Sequence, residues 1–275
     1  MPSHALSPNW PIGVFDSGVG GLSILSALHK QLPGEDFLYL ADSAFAPYGE
    51  RDEAFVSDRA QAALKLLQHH HPIKALVVAC NTATALAIHT LREQNPHLPI
   101  FGVEPALKPA AAHSRTHRVG VIATAATIGS QKFADLLSSL SEQTEFVTQA
   151  CDGLAEAIEQ QWKQGSPQAV VALCKKHLGQ MGTFGHSQGQ MDTLVLGCTH
   201  YPFAHEALQA ITGSDISLFD TGEPVARRVQ HVLQTRGLVS SHTKGQLSLL
   251  ATGETINLEQ AARHWLGLDA LALKV

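Results

Sequence analysis

The stretch Ala75-Leu76-Val77-Val78-Ala79-Cys80-Asn81-Thr82 aligns without a gap against Thr193-Leu194-Val195-Leu196-Gly197-Cys198-Thr199-His200. Each is a short apolar run bounded by small and polar residues, so each reads as a buried strand with a cysteine at its end. A second pair supports the match. Ile12-Gly13-Val14-Phe15-Asp16-Ser17 resembles Val119-Gly120-Val121-Ile122-Ala123-Thr124, and each lies upstream of one cysteine strand. The separations are similar, 64 residues from Asp16 to Cys80 and 74 from Thr124 to Cys198. A duplicated α/β unit explains both pairs at once.

Further strands read outward from these: Phe37 to Leu40, Ile100 to Val103, a weaker one at Ser217 to Phe219, and a returning strand and turn at Leu247 to Glu254. Helical patterns fill the gaps, as at Ser57 to His69, where Ala60, Ala63, Leu64 and Leu67 recur at helical spacing. Strands alternating with helices imply a parallel sheet. The expected fold is therefore α/β, with two similar three-layer domains, mainly parallel sheets and the active site in the cleft between them. The first domain is read as residues 1–103 plus 217–275, and the second, inserted into it, as 104–216. In open parallel sheets ligands bind outside the carboxyl ends of strands, which is where both cysteines fall.

The 275 residues suit two modest domains, and an apolar fraction of 44% against 16% charged residues describes a core-forming chain. A net charge of −5 with scattered Lys and Arg argues against nucleic acid as a partner. The segment Met1 to Pro11 lacks the basic and apolar regions of a signal peptide, and no apolar run approaches the ~18–20 residues of a membrane span. Four cysteines without a C-x-x-C pair fit a reducing cytoplasm.

The chemistry follows from the strand ends. Asn81, Thr82 and Thr199 are residue types found at helix N-termini, whose amides favour a thiolate, so both thiols are expected to be acidified. Two facing thiols, one ionised and one protonated, can take a proton from one side of a carbon and return one to the other, inverting a stereocentre. A cysteine-nucleophile amidase or transferase is a second reading, needing an imidazole and an oxyanion hole. A non-catalytic amino-acid-binding module is a third. Gly18-Val19-Gly20-Gly21 does not have dinucleotide-loop spacing and reads as a place where backbone approaches a small ligand. His69-His70-His71 reads as a solvated helix end, and no metal site is expected. Cys151 and Cys174 have no visible task.

Taken together, Phe15-Asp16-Ser17-Gly18-Val19-Gly20-Gly21, Pro47-Tyr48-Gly49, Ala79-Cys80-Asn81-Thr82-Ala83 and Gly197-Cys198-Thr199-His200-Tyr201-Pro202 resemble the glutamate racemases of the aspartate/glutamate racemase superfamily. The similarity spans nearly the whole chain. Aspartate racemases typically carry glutamate where this chain has His200, which favours glutamate as substrate over aspartate or another amino acid. The resemblance implies a cofactor-independent isomerase supplying D-glutamate for peptidoglycan, acting as a homodimer on a small molecule. It implies that Cys80 acts on the D-enantiomer with help from Asp16, and Cys198 on the L-enantiomer with help from His200. Substrate contacts would come from Asp16, Ser17, Tyr48, Gly49, Asn81, Thr82, Thr199 and His200, with Thr124 and Thr127 beyond them. Glu159, on the helix Leu154 to Trp162, matches a family carboxylate near the second cysteine. Asp152, where many members have proline, and Phe133, where many have tyrosine, depart from the pattern.

Overall fold

The computed structural model describes residues 6–164 and 166–275. The start of the first domain as read from the sequence, residues 1–5, lies outside them, as does the side chain of Trp162. Among the described residues the strands are β1 (Ile12–Asp16), β2 (Phe37–Ala41), β3 (Ala75–Val78), β4 (Ile100–Gly102), β5 (Arg118–Ala123), β6 (Glu145–Ala150), β7 (Thr193–Gly197), β8 (Ser217–Phe219), β9 (Leu247–Ala251) and β10 (Ala272–Lys274). The helices that cover the first sheet are α1 (Leu22–Gln31), α2 (Glu53–His70) and α3 (Asn81–Gln94). Those that follow are α4 (Leu107–His113), α5 (Ala125–Ile128), α6 (Gln131–Ser138), α7 (Leu154–Gln164), α8 (Gln168–Leu178) and α9 (His205–Thr212), and then α10 (Gly222–Thr235) and α11 (Thr255–Leu266).

The strands form two sheets, ordered β10-β9-β2-β1-β3-β4 and β6-β5-β7-β8, and every pairing is parallel. The duplication read from the sequence extends to register. Ile12 pairs with Ala75 in the first sheet, and Val119, its counterpart, pairs with Thr193 in the second. The order β2-β1-β3-β4 is repeated as β6-β5-β7-β8.

Alternation along each strand sends side chains to both faces, and both faces are covered, which is why these strands are apolar throughout. On one side of the first sheet, Ile12, Val14, Ala75 and Val77 pack with Leu22 and Leu25 of α1, Val225 and Val229 of α10 and Leu258 of α11. On the other, Phe15, Leu76 and Val78 meet Ala60, Leu64 and Leu67 of α2 and Ala87 and Leu91 of α3. The second sheet is built likewise. Ile122, Leu194 and Leu196 pack on α7 and α8, whereas Val119, Val121 and Val195 pack on Leu107 of α4 and Phe133 of α6. Cys80 shares a face with Leu76 and Val78, as Cys198 does with Leu194 and Leu196.

One boundary moves. Ser217–Phe219, read as the return into the first domain, pairs with β7 as the edge of the second sheet, and the chain crosses back only at Asp220 and Thr221, just before α10 packs on the first sheet. The strands β6 and β10 have no apolar run to announce them: β6 is Glu-Phe-Val-Thr-Gln-Ala at an exposed edge, and β10 is three residues long. Among the described residues no helix is long and apolar enough to cross a membrane.

At the opposite end from the cysteines, Lys74 is fully buried and its ammonium donates to Glu35 and to the carbonyl of Pro8. The other Glu35 oxygen accepts the Ser240 amide at 2.8 Å, so one ion pair ties four chain segments together. Removing one partner strands a buried charge. Glu35→Gln is expected to cost about 3–5 kcal/mol in urea unfolding. A loss under about 1 kcal/mol, the range of an exposed pair, would contradict this assignment.

Candidate active site

Strand order reverses at β1, whose neighbours β2 and β3 run off in opposite directions, and the same reversal occurs at β5 in the second sheet. Such switch points are where parallel sheets open a crevice. Asp16 ends β1, Cys80 follows β3, Thr124 follows β5 and Cys198 follows β7. All four strand ends converge on one cavity of about 290 Å³, lined from the first half by Ser17, Tyr48, Gly49, Cys80, Asn81 and Thr82 and from the second by Thr124, Glu159, Cys198, Thr199 and His200. Asp16 and Thr127 stand behind the wall: Asp16 is fully buried, and Thr127 accepts the Thr124 hydroxyl at 2.9 Å.

The two thiols have different surroundings. Cys80 is itself the cap of α3, its sulfur accepting the Ala83 amide at 3.4 Å, and it lies 3.6 Å from the Ser17 hydroxyl. Burial nonetheless pushes this thiol up to about 12, and the carboxylate of Asp16 pushes the same way, outweighing the help from Ala83 and Ser17. The expected acidification by a helix terminus is therefore overturned at Cys80. A desolvated sulfur beside a buried acid keeps its proton. Asp16 is also raised, chiefly by burial, although His200 and the Gly18 amide at 2.8 Å oppose the shift.

Cys198 does not open a comparable helix, because a short 3₁₀ turn, Tyr201–Ala204, precedes α9. Its partner is an imidazole. The sulfur lies 3.6 Å from His200 Nδ1, and His200 Nε2 lies 2.7 Å from Glu159 Oε1. Burial alone would lower the histidine, but the bonds to Cys198 and Glu159 prevail and hold it well above the ordinary 6.5. The fold makes Glu159, which the resemblance placed near the second cysteine, the third member of a sulfur–imidazole–carboxylate chain.

The glycine loop makes that chain possible. A Cβ on Gly20 would stand 2.3 Å from His200 Nδ1, and one on Gly18 would stand 2.4 Å from Glu159 Oε1. The Val19 amide donates to Glu159 at 3.2 Å. What the loop admits is thus the second half's own side chains. Across the cleft Thr199 donates to Asp16 at 3.3 Å, the Ser23 hydroxyl donates to the Thr199 carbonyl at 2.7 Å, and Thr82 and Thr124 are bonded at 3.0 Å.

Residues 12–229 match the model of the Asp/Glu/Hydantoin racemase family. The chain belongs to this racemase family. A glutamate racemase of Ralstonia pickettii is 43% identical over 265 residues, covering 96% of this chain and 91% of the relative. Among solved structures, a glutamate racemase isoform of Bacillus anthracis matches with a TM-score of 0.87 at 31% identity, covering 98% of each chain. A Francisella tularensis glutamate racemase in complex with D-glutamate matches at 0.82 and 28% identity, again covering 98% of each.

Within the racemase cavity some residues had no signal in the sequence reading. Cys151, taken as idle, lines the wall; it follows β6, so recognising that strand would have placed a third cysteine at a strand end. Burial and the neighbouring Cys174 and Cys198 push it up to about 12. Asn257, at the start of α11, reaches the cavity because β9 ends on the same edge as β1. Cys174 lies on the buried face of α8, in the core. His69, His70 and His71 close α2 in solvent, and among the described residues no group of three metal-binding side chains occurs.

The histidine geometry sets a sign for titration. Glu159→Gln removes a carboxylate that favours the imidazolium, so His200 in the variant deprotonates at lower pH than in the wild type. Nitrogen-resolved histidine NMR, with the signal identified by its loss in His200→Gln, reads this directly. An unchanged titration would contradict the pairing.

Proposed function

We propose that this chain is a cofactor-independent glutamate racemase that interconverts L- and D-glutamate through Cys80 and Cys198. One observation carries the reading: two thiols at equivalent strand ends share one cavity, one buried beside Ser17 and the other 3.6 Å from an imidazole that Glu159 holds. The names of the relatives and the D-glutamate complex of the neighbouring structure support glutamate as the substrate.

In the L-to-D direction the Cys198 sulfur takes the α-proton, and the electron pair left on carbon delocalises into the α-carboxylate. Cys80 delivers its proton to the opposite face. The enzyme is left with Cys198 as the thiol and Cys80 as the thiolate, which is the form that accepts D-glutamate, and exchange with solvent restores the first form. His200, held by Glu159, steadies the charge on Cys198, and Asp16 favours the proton on Cys80. Positioned proton transfer contributes ~10²–10⁴-fold, and the rest must come from donors aimed at the developing carbanion. Ser17, Asn81, Thr82 and Thr199 line the cavity with suitable hydroxyl and amide groups. The product would serve peptidoglycan assembly in the cytoplasm, and the active species would be a homodimer.

The chain Cys198–His200–Glu159 also has the connectivity of a nucleophile, base and orienting acid, which gives the hydrolytic reading a specific footing. The two separate cleanly. With L-glutamate in deuterated water and no added cofactor, racemisation should carry solvent deuterium into the α-position. Cys80→Ala and Cys198→Ala should each lower the rate by about 10²-fold or more. Ammonia release, a trapped acyl-thioester, or a fully active Cys80→Ala variant would overturn the two-base reading. L-Aspartate in parallel tests the substrate.

A further inference from the structure

The wall of the cavity opposite the second half is the segment Ser43–Glu50, which contributes Ser43, Ala46, Pro47, Tyr48 and Gly49. Its conformation is set from behind. Asp42, fully buried, accepts the Tyr48 hydroxyl on Oδ2 and is gripped by both prongs of Arg59 from α2, Nε to Oδ2 at 2.9 Å and Nη2 to Oδ1 at 2.8 Å. The same guanidinium lies 3.5 Å over the ring of Phe45. Tyr48 is 1% exposed, its ring packed between Phe15 and Phe55, and its only hydroxyl proton is committed to Asp42. The side chain of Tyr48, a residue read as a substrate contact, is therefore a strut; what it leaves to the cavity is the backbone of Tyr48 and Gly49. Gly49 in turn abuts Thr124, since a Cβ there would come within 3.1 Å of it.

The charge pattern gives this strut its importance. Among the described residues lining the cavity none is lysine or arginine, while Glu50, Asp152, Glu156 and Glu159 are acidic. A dicarboxylate held there depends on amides and hydroxyls in fixed positions, and it cannot tolerate another uncompensated buried carboxylate behind the wall. We infer that Arg59 is a positioning residue for substrate binding: it neutralises Asp42 and, through Asp42 and Tyr48, fixes the Tyr48–Gly49 backbone that receives a substrate carboxylate. Lysine cannot replace it, because a point charge offers neither the two-pronged grip nor the stacking on Phe45. This inference rests on the racemase reading above.

The test is a comparison of wild type, Arg59→Ala and Arg59→Lys in both reaction directions, with L-glutamate affinity measured by calorimetry in parallel. Loss of a charge-assisted grip should raise KM and Kd about tenfold or more while kcat changes much less. Guanidinium chloride at a non-denaturing concentration should lower the KM of Arg59→Ala, and sodium chloride at equal ionic strength should not; Arg59→Lys should recover little. Unchanged KM and Kd, a loss confined to kcat, or equal rescue by sodium would overturn the inference. Circular dichroism melting of each variant separates these results from unfolding. Wild-type turnover of glutamate tests the racemase reading by itself, and the Kd comparison still reports on Arg59 where turnover is absent.

Discussion

Two parallel sheets can share one site only if their carboxyl ends come close enough for side chains of one to enter the loops of the other. Here that approach is limited by the loop after β1. Gly20 leaves the space that His200 fills and Gly18 the space that Glu159 fills, at separations no side chain would permit. The contacts of Thr199 with Asp16 and Ser23 hold the same seam. Were the loop bulkier, the imidazole would be displaced from Cys198 and the carboxylate from the imidazole, and the cavity would lose the group that distinguishes its second thiol.

That distinction is electrostatic. A symmetric duplication would give two equivalent thiols, but the neighbours of each have diverged. On the first side lie Ser17, the Ala83 amide and the buried Asp16, a setting in which the sulfur keeps its proton. On the second lies an imidazolium supported by Glu159. The proposed reaction, which removes one proton and returns another, needs unlike surroundings for its two thiols, and the two halves differ in this way at the same strand position. The cavity carries no lysine or arginine among its described lining residues, so in the proposed reaction the charge on the substrate would be met largely by oriented hydroxyls and amides. Such donors act only when their backbone is fixed, which ties the site to the packing behind it.

Much of this was legible in the sequence because the informative segments are buried on both faces and therefore apolar. The match of Ile12–Ser17 with Val119–Thr124 and of Ala75–Thr82 with Thr193–His200 pointed to the duplicated fold, and in the structure the register of β1 on β3 recurs as that of β5 on β7. Edge strands escaped: β6 and β10 are half-exposed and carry no hydrophobic run, and with β6 went the position of Cys151. The end of the second sheet was misplaced because Ser217–Phe219 is three residues long and its pairing with β7 is not written in its composition. The direction of the Cys80 shift was missed for a different reason. Spacing shows that a cysteine caps a helix, but only the fold shows how completely it is desolvated and that Asp16 lies near enough to repel its anion. The role of the glycine loop depends on a meeting of the two halves, and the contact of Glu159 with His200 on the packing of α7 against the turn after β7, neither of which a local pattern records.

In the proposed reaction both sulfurs address one carbon from opposite sides. A crystal structure of the wild-type enzyme with glutamate bound tests it most directly. The α-carbon is expected between Cys80 and Cys198, within about 3–3.5 Å of each sulfur and with the sulfurs on opposite faces of the carbon, as a near-attack arrangement requires. A substrate carbon placed against one thiol alone, or bonded covalently to either sulfur, would contradict it.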